Sequence, residues 1–373
     1  MLSIEQVLIV LSVAVATAAA ATPIVMRLAR GLGAIDRPNE RKVSGRENMP
    51  LLGGLAVALG TLMGLAAAIL TGVLETSPSE KFEGFVVGGS LLILIGAWDD
   101  RWGLTASPKL LVQIVAACIA VFYGFRIEEF YEPISGFKFE FPAWLSWSVT
   151  ILWIVLVTNA INLIDGIDGE ATGIAAIIAA TLVVICWQTN QLSGVVLGLA
   201  VLGALLGFLP FNFPPARIFL GDTGALFIGY ALALLALEGY VGGHRKAALL
   251  TFAIPLMALA VPLLDTLLSI QRRIRNHRPI FAADNLHMHH RLLASEGSQR
   301  GAVLSLYFVT ACFCVIAVSF SRLEGYLALI FFGAVVVLTL RLLANLGAFS
   351  SEVTLRDGRD SEPDGASTEE ESE

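Results

Sequence analysis

Five clusters of polar residues interrupt an otherwise apolar chain, and their side chains suit metal and phosphate chemistry. The densest cluster runs from Asn159 to Gly169, Asn-Ala-Ile-Asn-Leu-Ile-Asp-Gly-Ile-Asp-Gly, directly after an apolar run. A carboxylate at the middle of a bilayer costs about 2.5–3.5 kcal/mol even on the mildest scale. Such groups beside a membrane segment therefore predict a functional site.

Spacing within this cluster favours one ligand-binding face. Asn159 and Asn162 are three residues apart, so they occupy neighbouring positions on one face of a helix. The glycines after Asp165 and Asp168 predict that the helix ends there and that a ligand can approach the backbone closely. Carboxylate and amide oxygens suit Mg²⁺, whereas the spacing does not match a calcium-binding loop. A purely structural role is the alternative.

Two further carboxylate motifs are expected at helix ends. Asp99 and Asp100 are adjacent and repel each other, so a cation or a basic side chain such as Lys109 must offset their charge. The alternative is a solvated helix end, although a C-terminal Asp opposes the helix dipole. Asp222 lies between glycines at the predicted start of the eighth membrane helix, where free amides can help to hold an anion. A simple turn is the alternative for Asp222.

The segment 271–300 combines histidines with arginines. Three of the chain's five histidines lie close together in it at His287, His289 and His290, and its arginines are Arg272, Arg273, Arg275, Arg278, Arg291 and Arg300. A zinc site would lack a supporting cysteine, and the arginines indicate an anionic ligand instead. The segment predicts a phosphate-binding loop, with an ordinary positive cytoplasmic loop as the alternative. No Walker-type phosphate loop occurs, so a pump of that class is excluded.

Composition places these clusters in a membrane protein. Hydrophobic residues make up 56% of the 373 residues and charged residues only 15%, against about 25% charged residues in a soluble protein. About 20 apolar residues span the hydrocarbon core. Eleven such runs are predicted: 3–26, 51–74, 84–98, 109–125, 146–164, 170–187, 193–210, 223–241, 247–270, 301–319 and 326–346. The fold class is therefore all-α and polytopic.

The distribution of basic residues predicts the orientation. With the N-terminus outside, eighteen of the 24 Lys and Arg residues lie in inside segments, as positive residues favour the cytoplasm. The first run has no basic n-region and no obvious cleavage site, so we expect a membrane helix and not a removed signal. All five polar clusters then lie on the cytoplasmic side. The alternative from a different functional class is a transporter. A transporter should instead place polar residues through the depth of the bilayer and on both faces.

The chain is predicted to form a membrane domain over residues 1–349 and an acidic, disordered tail over 350–373. The tail holds nine acidic residues against two arginines, a composition typical of disorder. Within the membrane domain, Gly203 and Gly207 have the small-xxx-small spacing that lets helices approach closely. This motif packs helices either within one chain or between protomers, so a homodimer is left open.

Ordered motifs give the chain a resemblance to the polyprenyl-phosphate N-acetylhexosamine-1-phosphate transferases, a superfamily that includes phospho-MurNAc-pentapeptide translocase. The motifs are Asp36-x-Pro-x-x-Arg-Lys42 with Gly53-Gly54, Asp99-Asp100-x-x-Gly-Leu104, Asn162-x-x-Asp-Gly-x-Asp-Gly169, Phe219-x-Gly-Asp-x-Gly224, and Arg278-Pro-Ile-Phe-x-x-Asp284-x-x-His-x-His-His290. They cover nearly the whole membrane region, and each falls at a helix end. The eleven predicted helices also agree with this family.

The resemblance implies transfer of N-acetylhexosamine 1-phosphate, most simply GlcNAc 1-phosphate, from a UDP-sugar to undecaprenyl phosphate. UMP leaves, and the product is the first lipid-linked intermediate of a cell-envelope polysaccharide. Mg²⁺ is the implied cofactor, with Mn²⁺ as the substitute, and nucleic acid is not a partner. Another UDP-N-acetylhexosamine or a UDP-MurNAc-pentapeptide is the alternative donor. The implied location is the plasma membrane, with the active site at the cytoplasmic face.

The same resemblance implies roles for individual residues. Asp222, Asn162 and Asp99 would bind the metal, and the catalytic residues would be Asp99, Asp100, Asp165 and Asp168. The substrate-binding residues would be Lys42, Lys109, Asn159, Asn162, Arg278, His287, His289 and His290. The lipid phosphate has a second pKa of about 6 and is largely dianionic at pH 7, so it gains little from a general base. Direct attack is therefore favoured, and an aspartyl-phosphate intermediate is left open.

The histidine motif points to one branch of the superfamily. His287-Met-His-His-Arg-Leu292 resembles the form in transferases that act on UDP-GlcNAc-like donors, whereas the muramoyl-pentapeptide branch tends to three consecutive histidines. One position departs from the pattern, since many relatives have a histidine where this chain has Ser44. Ser44 is therefore not expected in the site.

Overall fold

The computed structural model describes residues 3–36, 48–73, 80–131, 138–240, 248–277 and 287–320, together with 330–331, 333–338 and 341. The predictions for Lys42, Ser44, Arg278 and the tail 350–373 lie outside these residues. So does the side chain of His290.

Helices dominate the described chain. They are α1 (Ile4–Leu32), α2 (Gly53–Leu70), α3 (Glu80–Trp102), α4 (Ala106–Phe122), α5 (Ala143–Leu163), α6 (Glu170–Gln188), α7 (Leu192–Asn212), α8 (Gly221–Tyr240), α9 (Ala248–Ala258), α10 (Ala260–Arg275), α11 (Met288–Glu296) and α12 (Gln299–Phe320). Eight of the described helices are long and apolar enough to cross a membrane. The predicted all-α, polytopic membrane class is confirmed.

Two short antiparallel strand pairs accompany the helices. β1 (Ile35–Asp36) pairs with β2 (Met49–Pro50), and β3 (Glu129–Tyr131) pairs with β4 (Lys138–Glu140). The first pair continues from α1 and leads into α2, and it brings buried Asp36 to the end of the bundle where the polar clusters lie. These strands were not predicted, because two or three residues are too few to show a period of two.

The predicted run 247–270 is not one helix. It divides into α9 and α10 around Leu259, with Pro255 in α9 and Pro262 in the first turn of α10. Proline has no backbone N–H to donate to the carbonyl group four residues earlier. A helix therefore starts at a proline more readily than it continues through one. The last predicted run, 326–346, lies mostly outside the described residues, although its described residues are helical.

Helix α8 lies at the centre of the bundle and packs against α2, α3 and α5. Glycines allow this close packing. A Cβ added at Gly54 of α2 would lie 2.1 Å from the backbone nitrogen of Gly224 in α8, and one added at Gly96 of α3 would lie 2.5 Å from the Cα of Thr223. The start of α8 is therefore held directly against two neighbouring helix backbones.

The glycines of α7 pack helices within one chain. A Cβ added at Gly207 would lie 2.3 Å from the carbonyl oxygen of Val15, and one added at Gly203 would lie 2.7 Å from the Cβ of Ala14. Both contacts are with α1. The small-xxx-small motif is therefore used for the α1–α7 contact of a single protomer.

Successive helices bring alternate ends to one face of the bundle. The C-terminal ends of α1, α3, α5 and α7 meet the N-terminal ends of α2, α4, α6 and α8 around a shared cavity. The polar residues singled out in the sequence lie at these ends. The clusters that are separated along the chain are therefore neighbours in the fold.

Candidate active site

A cavity of about 700 Å³ opens at the face where the helix ends meet. Six aspartates and one arginine are the charged residues in its described lining: Asp36, Asp99, Asp100, Asp165, Asp168, Asp222 and Arg101. This many carboxylates around one space repel one another unless cations are present. The cavity therefore suits a ligand that arrives with a cation, as a metal-bound diphosphate does.

Asp222 and Lys109 form the centre of the polar cluster. Lys109 Nζ donates to Asp222 Oδ2 at 2.8 Å and to Asp99 Oδ2 at 3.0 Å. Asn162 Nδ2 donates to Asp222 Oδ1 at 3.1 Å. Lys109 therefore bridges the carboxylates of Asp99 and Asp222. The structure thus brings together the four predicted residues Asp99, Lys109, Asn162 and Asp222.

Local chain geometry explains how Lys109 reaches Asp99. Helix α3 ends at Trp102, and Gly103 follows with φ 75°, a left-handed conformation that glycine adopts without strain. The backbone N–H of Leu104 then donates to Asp99 Oδ1. The chain turns back immediately, so the first turn of α4 places Lys109 beside the carboxylate.

Asp100 has a different position from its neighbour Asp99. Its Oδ1 accepts from the backbone N–H of Asp222 at 2.8 Å, and its Oδ2 accepts from the backbone N–H and the hydroxyl of Thr223 at 3.2 and 2.6 Å. These are unsatisfied donors of the first turn of α8, and a carboxylate there stabilises the helix start. Asp100 thus holds the backbone that carries Asp222.

Substitution of Asp100 tests this positioning. We expect Asp100→Ala to cost about 1–2 kcal/mol of unfolding free energy, the scale of a lost helix cap. Turnover should fall because Asp222 is less well held, and Asp100→Asn should retain more stability than Asp100→Ala. Melting temperature and turnover of purified protein check this. A variant that melts like wild type but has no turnover would instead place Asp100 in the chemistry directly.

Asn159 lies one helical turn from Asn162 and forms a pair with Gln113. Asn159 Nδ2 donates to Gln113 Oε1, and Gln113 Nε2 donates back to Asn159 Oδ1 at 3.4 Å. Gln113 is one turn along α4 from Lys109, and neither amide is among the cavity-lining residues. The pair thus joins α4 to α5 next to the site, away from the predicted substrate position.

Asp165 and Asp168 both line the cavity, but they have different surroundings. Asp168 is buried, and its Oδ2 accepts from the backbone N–H of Ala216 at 2.9 Å. This bond ties the turn after α5 to the connection between α7 and α8. Asp165 lies earlier in the turn, beside Gly166 at the cavity wall. Of the two, Asp165 has the position better suited to a ligand contact.

Two histidines of the predicted motif, His287 and His289, are paired with carboxylates. His287 Nδ1 lies 2.6 Å from Asp265 Oδ2, and His289 Nδ1 lies 3.3 Å from Glu170 Oε2. Neither histidine lines the cavity, although the ring of His289 packs directly on Gly166, which does. His287 and His289 are therefore adjacent to the site and lie behind its wall.

Sequence reasoning placed Asp36 in a motif without giving it a role, and it missed four other residues of this arrangement: Gln113, Glu170, Thr223 and Asp265. A signal existed for two of them. Asp265 is a carboxylate inside a predicted membrane run, where ionisable residues are rare and usually paired. Glu170 directly follows the Asp-Gly motif. Gln113 and Thr223 gave no signal, because an isolated amide or hydroxyl is ordinary in a helix.

The residues present fit Mg²⁺ by their ligand chemistry. Asp99, Asp222 and Asn162 supply oxygens, and the two carboxylates share the ammonium group of Lys109. Among the residues that the structure describes, no group of three or more His, Cys, Asp or Glu is arranged to hold a metal ion. Mg²⁺ commonly uses one or two carboxylates and takes its remaining ligands from substrate phosphates and water. The cluster matches that pattern better than an all-protein metal cage.

Comparison with known proteins agrees with this arrangement. Residues 82–240 match the model of "Glycosyl transferase family 4". A probable undecaprenyl-phosphate N-acetylglucosaminyl 1-phosphate transferase of Bacillus subtilis (strain 168) is 37% identical over 93% of this chain and 94% of its own length. A decaprenyl-phosphate N-acetylglucosaminephosphotransferase of Mycobacterium tuberculosis (strain ATCC 25618 / H37Rv) is 35% identical over 81% of this chain and 79% of its own length.

A relative from the muramoyl-pentapeptide branch matches a shorter part of the chain. A phospho-N-acetylmuramoyl-pentapeptide-transferase of Enterococcus hirae is 37% identical over 48% of this chain and 60% of its own length. The matched region of the family model contains Asp99, Asp222 and the residues between them, which build most of the site. The relatives that match most of this chain and its helical membrane fold agree, and the chain belongs to the polyprenyl-phosphate N-acetylhexosamine-1-phosphate transferase family.

Proposed function

We propose that the chain transfers N-acetylhexosamine 1-phosphate from a UDP-N-acetylhexosamine to a polyprenyl phosphate and releases UMP. The single observation that carries this proposal is the cluster of Asp99, Lys109, Asn162 and Asp222, whose two aspartates line a carboxylate-rich cavity at the end of the membrane helices. Such a cavity can take a soluble nucleotide sugar from the aqueous side. A lipid phosphate can reach it from the bilayer.

In the proposed reaction, an oxygen of the lipid phosphate attacks the donor phosphorus that carries the sugar. A new phosphorus–oxygen bond forms, and the bond from that phosphorus to the bridging oxygen breaks. The electron pair leaves with UMP, and the product is a polyprenyl diphosphate sugar. The lipid phosphate is largely dianionic at pH 7, because its second pKa is about 6. It is therefore already a nucleophile without a general base.

The hydrogen bonds support direct attack over an aspartyl-phosphate intermediate. Both oxygens of Asp99, Asp100 and Asp222 accept hydrogen bonds in the structure. A carboxylate that attacked phosphorus would have to give up one of these bonds. Lys109 can hold an anionic phosphate beside Asp99 and Asp222 by exchanging one of its carboxylate contacts for a phosphate oxygen.

Asp99, Asp222 and Asn162 would hold the Mg²⁺ ion. When bound, Mg²⁺ supplies charge neutralisation for the donor diphosphate and the leaving UMP. Asp100 keeps the first turn of α8 in place so that Asp222 faces this position. Asp165 is placed to contact the nucleotide or a water molecule. Mn²⁺, which also accepts oxygen ligands, is the expected substitute.

UDP-GlcNAc is the proposed donor, and undecaprenyl phosphate is the proposed acceptor. The relatives that cover most of this chain are named for N-acetylglucosamine. The relative named for the muramoyl-pentapeptide reaction covers 48% of it. We place the active site at the cytoplasmic face of the plasma membrane, because the positive-inside rule favours that orientation and UDP-sugars are cytoplasmic. The product would begin a cell-envelope polysaccharide.

Metal removal is the first test of this proposal. Purified protein with undecaprenyl phosphate and UDP-GlcNAc is expected to release UMP with Mg²⁺, and to lose nearly all release in EDTA. Added Mg²⁺ should restore activity, because the donor diphosphate needs its charge neutralised. UMP release from a different UDP-sugar would support the proposed reaction and change only the proposed donor. Failure of folded protein in lipid to release UMP from any UDP-sugar would refute the transferase proposal.

A further inference from the structure

Helix α11 is attached to the bundle by two buried pairs of histidine and carboxylate. His287 Nδ1 lies 2.6 Å from Asp265 Oδ2, and the adjacent N–H of Met288 donates to Asp265 Oδ1 at 2.8 Å. His289 Nδ1 lies 3.3 Å from Glu170 Oε2. The two imidazole rings are stacked, with centroids 5.6 Å apart and an interplanar angle of 7°. The pairs therefore form one compact unit between α6, α10 and α11.

Burial makes the Glu170–His289 pair unusual. Glu170 is 2% exposed and His289 is 3% exposed. Charged groups are rarely buried so completely, and a buried ion pair often contributes little net stability because both groups lose their hydration. An acidic residue in the first turn of α6 interacts favourably with the helix dipole, but an exposed acidic side chain would have the same effect. Helix stabilisation alone does not explain why the pair is buried.

The position of His289 connects this pair to the active site. A Cβ added at Gly166 would lie 2.3 Å from Cε1 and 2.4 Å from Nε2 of His289. The imidazole ring therefore packs directly on the backbone of Gly166, between Asp165 and Ile167 in the cavity wall. The carboxylate of Glu170 forms an ion pair with the same ring, 3.3 Å from Nδ1. A charge on His289 would lie just behind the wall of a cavity lined by aspartates.

The carboxylates around His289 favour its cationic form. Burial is the largest single influence on His289 and lowers its pKa, but Glu170, Asp265 and Asp165 together outweigh burial, so the pKa of His289 lies above its usual value. The other titratable groups that face the pair from neighbouring elements are Asp165, Asp265, His287 and Tyr307. As the pH rises through this raised pKa, the positive charge is lost.

We propose that Glu170 is a positioning residue for the transfer reaction, which keeps His289 oriented and cationic behind the Asp165–Gly166 wall. The cation offsets part of the repulsion between the lining aspartates and an anionic nucleotide sugar. The Glu170–His289 pair therefore supports binding of the donor and not the transfer step. This inference rests on the proposed function, because its readout is the KM for the UDP-sugar.

The test compares Glu170→Gln, His289→Gln and the double variant with wild type in Mg²⁺-dependent UMP release. Glu170→Gln keeps the size of the side chain and removes its charge. We expect it to raise the donor KM about tenfold at neutral pH, the lower end of the coupling between close charge pairs, with kcat changed much less. The double variant should resemble His289→Gln alone, because Glu170 acts through His289.

The pH profile separates this role from a structural one. In wild type, the donor KM should rise as the pH passes the raised pKa of His289. In Glu170→Gln the same rise should occur at lower pH, because the pKa of His289 falls when its carboxylate partner is removed. Glu296→Gln is the matched control, since Glu296 is an exposed glutamate of α11. It should leave KM and its pH dependence unchanged.

Three outcomes would overturn the inference. The first is a Glu170→Gln enzyme with wild-type donor KM and pH profile, and the second is additive effects in the double variant. If Glu170→Gln does not fold, Glu170→Asp keeps the charge at a longer distance and should still move the KM rise to lower pH. An unmoved profile in that variant is the third contrary outcome. Inactive wild-type protein would instead contradict the proposed function.

Discussion

Asp222→Asn is expected to lower kcat/KM for UMP release by about 10²–10³-fold, the scale of removing one electrostatic group from a transfer site. The substitution keeps the shape of the side chain and removes its charge. Lys109 then retains its contact with Asp99 but loses its charged partner at Asp222, 2.8 Å away in wild type. The pair of carboxylates proposed to hold Mg²⁺ is reduced to one. Apparent affinity for Mg²⁺ should therefore fall together with turnover.

The measurement is a Mg²⁺ titration of UMP release by wild type and Asp222→Asn. Glu83→Gln is the control for a change from carboxylate to amide, because Glu83 is exposed in the first turn of α3, at the opposite end from Asp99. It should behave as wild type. Lys109→Met should also lower turnover, since two close carboxylates would lose the cation between them. Wild-type turnover and Mg²⁺ affinity in Asp222→Asn would contradict the assigned role.

Gly54→Ala is expected to reduce both the stability of the protein and its activity. The added Cβ would lie 2.1 Å from the nitrogen of Gly224, and the clash is with backbone that no side-chain rotation can relieve. Overpacking of this kind typically costs about 1–3 kcal/mol. Separation of α2 from α8 would also move the first turn of α8, which carries Asp222. Activity should therefore fall further than stability alone explains.

Gly31→Ala is the matched control for this substitution. Gly31 lies in α1, and a Cβ added there would have no heavy atom within 4 Å. Alanine also favours a helix more than glycine does, so the control should match or slightly exceed wild-type stability. Melting temperature and UMP release, measured for both variants in the same detergent or lipid, give the comparison. A Gly54→Ala protein that melts and turns over like Gly31→Ala would show that α2 and α8 can separate without cost.

Several features of this protein follow from local properties of the sequence. Apolar runs of membrane length predicted the helices, because the tendency of a run to enter the bilayer depends only on the residues of that run. Glycines after Asp165 and Asp168 predicted the end of α5, which the structure places at Leu163. The site motifs were predicted at helix ends for the same reason, because carboxylates and amides are costly away from the membrane surface.

The partners of these residues depended on the tertiary structure. Lys109 and Asp222 are 113 positions apart, and Asp100 contacts Thr223 across 123 positions. Nothing in either local sequence encodes those separations. They arise because α3 and α5 pack on α8 through glycines that let helix backbones touch. The same packing gives the adjacent residues Asp99 and Asp100 different surroundings. Asp99 faces Lys109, and Asp100 holds the first turn of α8.

The histidine segment shows the same division between local pattern and packing. Its composition indicated an anion-binding role, which depends only on the residue types present. The position of His287 and His289 behind the cavity wall depended on Asp265 and Glu170, two carboxylates from other helices that the pattern did not include. Residue type and spacing determine the chemistry that a segment can perform. Which groups meet, and on which side of a cavity wall, is decided by the packing of helices far apart in the chain.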